Sequence, residues 1–157
     1  MNTFLLIVSD AFWSALAAMG FAMLFNVPQR ALIHCMIGGA IGHALRTLLM
    51  QKFGFSIELA TLLSATTVGF WAKWCAIRLK MPSMIFAVSA VIPMVPGVFA
   101  YQTMIGILDT THASNTDVVD ILAQSSVNAI KTGVILASLA GGIVAPSLIF
   151  KRRKPVV

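Results

Sequence analysis

The amino-acid sequence predicts an all-α fold, a polytopic membrane helix bundle of about five transmembrane helices, and three observations lead to this prediction. Of the 157 residues, 59% are hydrophobic and only 10% are charged, and the mean hydropathy is +0.92. A soluble domain is typically about 45–50% apolar and about 25% charged. Apolar stretches of about 20 residues, the length that crosses a bilayer, follow one another with short polar turns between them. We therefore expect residues 1–157 to form a single integral membrane domain.

Turn-forming sequences separate the first span from the second and the third span from the fourth. Pro28 in "NVPQR" cannot continue the first helix, and Pro82 in "LKMP" separates the third span from the fourth. The segment 109–116 is a polar loop, and the helical pattern that follows it begins at Asp117 and is longer than one span needs. The predicted spans are approximately 4–25, 31–50, 56–78, 83–108 and 129–150.

Basic residues predict the orientation in the membrane. The sequence "KRRK" at 151–154 belongs in the cytoplasm by the positive-inside rule, and Arg30, Arg78 and Lys80 fall on the same side if there are five spans. The N-terminus is then outside. A four-span alternative would place both termini in the cytoplasm. Because topology accounts for the net charge of +6, no nucleic-acid partner is indicated.

The fourth span is interrupted near its centre by Pro93, Pro96 and Gly97. A proline in a helix interior costs about 3 kcal/mol. Unwound backbone at membrane depth is tolerated where it is buried in protein or lines a cavity, and transporters build substrate sites from such discontinuous helices. The helix after the break would point its positive end into the membrane, where its amides can hold a carboxylate, with Tyr101 and Gln102 one turn further on. A plain proline kink is the alternative.

Three polar residues on the first two spans are expected at similar depth near the outer side. They are Asp10, His43 and Arg46, of which the last two share a helix face. Charged groups at membrane depth are expensive and need partners. One interpretation is a structural ion pair between Asp10 and Arg46. The other is that Arg46 and His43 receive an anionic substrate, with Asp10 as a coupling group.

The last helix carries a polar stripe at three- and four-residue steps, which should face protein or a water-filled path rather than lipid. Its members are Asp117, Asp120, Gln124, Asn128 and Lys131. Small residues at four-residue spacing, such as Gly38 and Gly42, or Gly141 and Ala145, predict close helix contacts and are candidate surfaces for a partner subunit.

Three stretches of the sequence carry a family resemblance. "GFAMLFNVPQRAL", "GGAIGHALR" and "AVIPMVPGVFAYQTMIG" together resemble the small, YjjB-type subunit of the split threonine/serine exporter (ThrE) family over nearly the whole chain. The resemblance implies a bacterial inner-membrane location and a larger YjjP-type membrane subunit as partner. It also implies export of small carboxylate metabolites, which are threonine and serine for fused members and succinate for the split pair.

Other functions receive less support from the sequence. Cys35 and Cys75 have no metal-ligand spacing, and neither a metal nor another cofactor is expected. No nucleotide-binding or hydrolase motif is present, so we expect a secondary transporter subunit and not an enzyme. A non-transporting assembly or scaffold subunit is the alternative, and a membrane-embedded enzyme ranks below it.

Overall fold

A computed structural model describes residues 3–111 and 118–149, which form helices joined by short turns with no β-strand in those ranges. The predicted all-helical class is confirmed. The polar loop beyond residue 111, Asp117 and the basic C-terminal tail lie outside the described residues. The helices are α1 (Thr3–Leu24), α2 (Gln29–Phe53), α3 (Ile57–Leu79), α4 (Ser83–Val91), α5 (Gly97–Asp109) and α6 (Val118–Ile149), and a 3-10 turn covers Ile92–Met94.

The helix boundaries follow from local backbone chemistry. Pro28 precedes α2 and Pro82 precedes α4 as N-cap residues, where the missing proline N–H costs nothing. Gly54 ends α2 in the left-handed region with φ 64°, the conformation that glycine adopts without strain. Lys80 ends α3 in the same region with φ 53°, which a non-glycine residue adopts only in a tight turn.

Three of the described helices are long and apolar enough to cross a membrane, or up to four if the interrupted pair around Pro93 counts as one span. The five-span prediction exceeds this count by one, and α3 makes the difference. At 1.5 Å per residue, its 23 residues reach roughly 35 Å, enough to cross a hydrocarbon core of about 30 Å. Glu58, Lys73 and Arg78 lower its hydropathy, while one face of α3 is buried against other helices.

The chain divides into two compact units, and the first contains residues 3–94 and 138–149 of the described chain. Here α2 packs against α1, α3 and α4. Glycines allow close approach, because a Cβ on Gly142 would lie 2.6 Å from the Cβ of Ala65. The core cluster consists mainly of small residues and includes both cysteines, which are free thiols. Its buried members are Ala22, Ala31, Cys35, Ala72, Cys75, Phe86 and Ala87.

The second unit contains residues 95–111 and 118–137 of the described chain. It pairs α5 with the first part of α6. Gly106 of α5 lies against the side chain of Ser125 on α6, so closely that a Cβ at Gly106 would overlap the Ser125 hydroxyl. No residue of α5 is buried within the chain.

Candidate functional site

The interruption of the fourth span is present where the sequence predicts it. After α4 the backbone tightens into the 3-10 turn, and Pro96 adopts φ −79° and ψ 61°. The amide of Gly97 donates to the carbonyl of Val95 at 2.8 Å, so Pro96 is the centre of an inverse γ-turn. Pro93 and Pro96 therefore interrupt the series of backbone hydrogen bonds along the helix. Gly97 itself does not adopt a positive φ; among the described glycines, Gly54 does.

Two glycines of α2 leave the space in which the end of α4 and the 3-10 turn pack. A Cβ on Gly38 would lie 3.1 Å from the Cβ of Ala90, and one on Gly42 would lie 3.3 Å from the Sδ of Met94. Ala90 and Met94 are four residues apart, as are the two glycines, so the contacts run in register along both helices. The prediction that Gly38 and Gly42 form a surface for a partner subunit is therefore wrong, because the chain buries this face itself.

Arg46, one helical turn beyond Gly42, reaches the main chain of the same segment. Its Nη1 donates a hydrogen bond of 2.9 Å to the carbonyl oxygen of Met94. The last carbonyls of a helix lack intrahelical partners, and the negative end of the helix dipole favours a cation there. Arg46 therefore caps the carbonyl end of the interrupted helix.

Asp10 of α1 contacts the neighbouring face of α2. The Thr47 hydroxyl donates to Asp10 Oδ2 at 2.8 Å, and Nδ1 of His43 lies 4.0 Å from the same oxygen. Nδ1 of His43 is buried and has no hydrogen bond within the described chain. The expected direct pair between Asp10 and Arg46 is not formed, since Arg46 points to Met94. The cause is rotational, because residues 42 and 46 share one face of α2 while 43 and 47 share the next.

In the second unit, the polar stripe of α6 divides into a packed and an exposed part. Asn128 is buried and its Nδ2 donates to Oε1 of Gln102 on α5 at 3.4 Å. Nζ of Lys131 lies 5.6 Å from the centre of the Phe99 ring, a cation–π distance. Both contacts join α6 to α5.

The exposed part of the stripe consists of Asp120 and Gln124. Tyr101, on α5, is 67% exposed. Asn128 and Lys131 therefore contact protein within this chain, and whether the rest of the stripe faces protein or a water-filled path stays a prediction. Asp120, Gln124 and Tyr101 are exposed in the part of the chain that the structure describes.

Two of the contacts that the sequence analysis missed have a signal in the sequence, and one does not. Thr47 is four residues after His43, and this spacing alone places it on the face that meets Asp10. The carbonyl of Met94 is freed by the predicted break, so any cation at that depth is a candidate donor for it. Nothing in the sequence indicates the contact between Gln102 and Asn128. Among the described residues, no group of three His, Cys, Asp or Glu side chains is placed to hold a metal ion.

Comparison with known proteins gives one family. Residues 10–149 match the family model described as Threonine/Serine exporter, ThrE. An uncharacterized protein of Haemophilus influenzae is 38% identical over 148 residues, which cover 94% of this chain and 49% of the relative. The chain thus spans about half the length of the curated relative that it matches. No solved structure matches it.

Proposed function

This chain belongs to the threonine/serine exporter family ThrE, and we propose that it is a subunit of a secondary transporter that exports small carboxylate metabolites. The substrate class is threonine and serine or a succinate-type dicarboxylate. A carboxylate is the group these molecules have in common, so the transport path needs a site that holds one.

The interrupted helix is the observation that carries this proposal. The Gly97 amide bonds to Val95, and helical pairing of α5 begins with the amide of Ala100, which donates to Pro96. Within the described residues, the intervening amides of Val98 and Phe99 have no backbone acceptor. Such amides at the positive end of a helix are suited to an anion.

The surroundings of the α5 N-terminus also favour an occupant. Apart from its two chain neighbours and the backbone of its own helix, no atom of the described chain lies within 4 Å of a Cβ placed on Gly97, so there is open space beside the first turn of α5. Tyr101 and Gln102 lie one turn along and supply a hydroxyl and an amide. We propose that these groups, with the backbone of Pro93, Pro96 and Gly97, form the carboxylate-binding part of the path.

The polar cluster of α1 and α2 is the second part of the proposed machinery. Asp10 and His43 are ionisable groups at one depth, with 4.0 Å between Nδ1 of His43 and Oδ2 of Asp10. A pair of this kind in a membrane interior marks a functional site by default. We propose that Asp10 is a coupling group and that His43 is its partner.

A second, larger membrane subunit of YjjP type is the proposed partner. The H. influenzae relative contains about as much sequence again as the matched region. Transporters built from two repeats place the substrate between the halves. The exposed side of α6 around Gly141, where a Cβ would meet no atom within 4 Å, remains a candidate contact surface.

We further propose that the protein resides in a bacterial inner membrane with its C-terminus in the cytoplasm. The basic residues Arg30, Arg78 and Lys80 support this orientation, since all three are exposed at helix ends or turns. Five crossings, with α3 counted as a span, put the N-terminus on the opposite side.

Flux measurements in membrane vesicles test the function. Vesicles containing both subunits should move at least one of labelled threonine, serine and succinate, and vesicles lacking either subunit should not. Full transport by this chain alone would refute the partner proposal. Equal flux with and without this chain would instead support the assembly role.

A further inference from the structure

The face of α2 that carries Gly38, Gly42 and Arg46 follows the last turn of α4 to the point where that helix breaks. Gly38 and Gly42 lie against Ala90 and the side chain of Met94. Arg46 then bonds to the main chain of Met94. The three α2 residues recur at four-residue steps, so they form one continuous line along the helix.

Met94 is held at two points. Its side chain is fully buried and fits the space that Gly42 leaves, and its carbonyl oxygen accepts the hydrogen bond from Arg46. In a continuous helix this oxygen would accept from the amide four residues later. The interruption removes that donor, and a carbonyl without a donor is costly at membrane depth. Arg46 supplies the replacement from another helix.

The charges around Arg46 argue against a substrate-binding role. Asp10 brings a carboxylate to Thr47 and His43 on the same stretch of α2, and its negative charge attracts Arg46 through space without direct contact. A carboxylate substrate approaching Arg46 would meet this negative group as well. The guanidinium of Arg46 bonds to the main chain of Met94, and this contact fixes the position of the backbone there.

We propose that Arg46 is a positioning residue for transport: it fixes the carbonyl end of the interrupted helix through Met94 and does not bind the transported carboxylate. This inference rests on the proposed function only for its consequence for transport. The structural step, that Arg46 holds the break, is testable without any substrate.

The first test is amide hydrogen exchange in the exporter purified in detergent. In Arg46→Gln the backbone amides of Ala90, Val91, Ile92 and Met94 should exchange at least tenfold faster than in wild type; Pro93 between them has no amide proton. Arg46→Lys retains a cationic donor and should stay within threefold. Arg30→Gln, an exposed arginine on the same helix, is the matched control and should leave these amides unchanged. Unchanged exchange at Ala90–Met94 in Arg46→Gln would overturn the proposal.

The second test combines Arg46→Gln with Pro93→Ala/Pro96→Ala. The alanines restore the amide donors at positions 93 and 96 and let the helix continue, so that the amide of Val98 can donate to the Met94 carbonyl and Arg46 becomes redundant. Arg46→Gln should lower the maximal flux of labelled threonine, serine or succinate at least tenfold and leave KM within twofold. In the alanine background, Arg46→Gln should cause no further loss of flux and no further rise in exchange.

A tenfold rise of KM in Arg46→Gln would show direct substrate contact, and losses that multiply in the combined variant would show that Arg46 acts independently of the break. Either result would overturn the proposal. The two proposals fail separately. If exchange responds as expected but the wild-type exporter moves none of the three labelled probes, Arg46 holds the break and the proposed function fails. If Arg46→Gln does not insert, Arg46→Met, which keeps the apolar stem and removes the donor, takes its place in the exchange comparison with the same expected and contrary results.

Discussion

Replacing Gly42 by alanine should disrupt the packing of the interrupted helix against α2. The new Cβ would lie 2.7 Å from Cγ2 of Val68 and 3.3 Å from Sδ of Met94. Carbon atoms in contact prefer about 3.5–4.0 Å, so Val68 and α2 must separate by roughly 0.8 Å. Overpacking of this kind costs about 1–3 kcal/mol.

The intrinsic helix preference of alanine acts in the opposite direction. Alanine in place of glycine in a helix interior stabilises by about 0.8–1.0 kcal/mol. A matched variant, Gly20→Ala, removes this effect: Gly20 also lies within a helix but at an exposed position, and a Cβ there would meet no atom of a neighbouring element within 4 Å. The difference between the two variants therefore isolates the overpacking cost, for which we expect about 2 kcal/mol.

The assay is unfolding of the purified chain in mixed micelles as the fraction of denaturing detergent rises. A difference of about 2 kcal/mol changes the ratio of folded to unfolded protein by about thirtyfold. Gly42→Ala should also raise hydrogen exchange at Met94, because the Met94 side chain packs against Gly42 and its carbonyl bonds to Arg46, one turn further along α2. A stability within about 0.5 kcal/mol of Gly20→Ala, with unchanged exchange, would refute the packing argument.

Three further predictions concern other parts of the molecule. Gly97→Leu should leave stability within about 0.5 kcal/mol, because the space beside Gly97 is open in the chain, yet it should abolish flux by filling the proposed carboxylate site; normal flux would place the substrate elsewhere. Asn128→Leu should destabilise by about 0.5–1.5 kcal/mol in the same unfolding assay, since it removes the hydrogen bond from Asn128 to Gln102, and an unchanged midpoint would mean that the 3.4 Å contact contributes nothing. A cysteine at Ser114 should react with an impermeant reagent added from outside and one at Pro155 should not, and the reverse pattern would contradict the proposed orientation.

The positions of the helices could be predicted because they depend on local properties. Apolar runs of sufficient length, the prolines at Pro28 and Pro82, and the pair Pro93 and Pro96 act within one segment of chain. The observed α1, α2 and α3 therefore begin and end within a few residues of the predicted spans, and the break lies where proline removes the donors.

The helix α6 begins at Val118, well before the predicted span 129–150 and close to the start at Asp117 of the predicted helical pattern. The helix α3 is predicted as a span but is not among the helices apolar enough to count as one, because Glu58, Lys73 and Arg78 lower its hydropathy. One face of α3 is buried against other helices.

The pairing of polar side chains could not be predicted from the same properties. Hydropathy and helix length indicate depth in the membrane, and the common depth of Asp10, His43 and Arg46 stays a prediction. Depth does not specify how each helix is rotated about its axis. Arg46 therefore bonds to Met94 while Thr47, the next residue along, bonds to Asp10.

Small residues illustrate the same limit. The spacing of Gly38 and Gly42 correctly predicted a close helix contact, but it carries no information on whether the contacting helix belongs to this chain or to a partner. The structure assigns the contact to Ala90 and Met94 of this chain. Gly141 has the same kind of spacing and no neighbour within 4 Å.

The central claim is that the interruption at Pro93–Gly97 carries transport, and flux in Pro93→Ala/Pro96→Ala tests it most directly. Restoring the helix should remove the amide end that holds the carboxylate. A hydrogen bond to an ionised group is worth about 1.5–3 kcal/mol, so loss of one bond should weaken substrate binding about tenfold or more. With Pro82→Ala as the control outside the break, we predict at least a tenfold loss of flux at subsaturating substrate in the double variant alone. A double variant that inserts, assembles with its partner and transports at the wild-type rate would contradict the account.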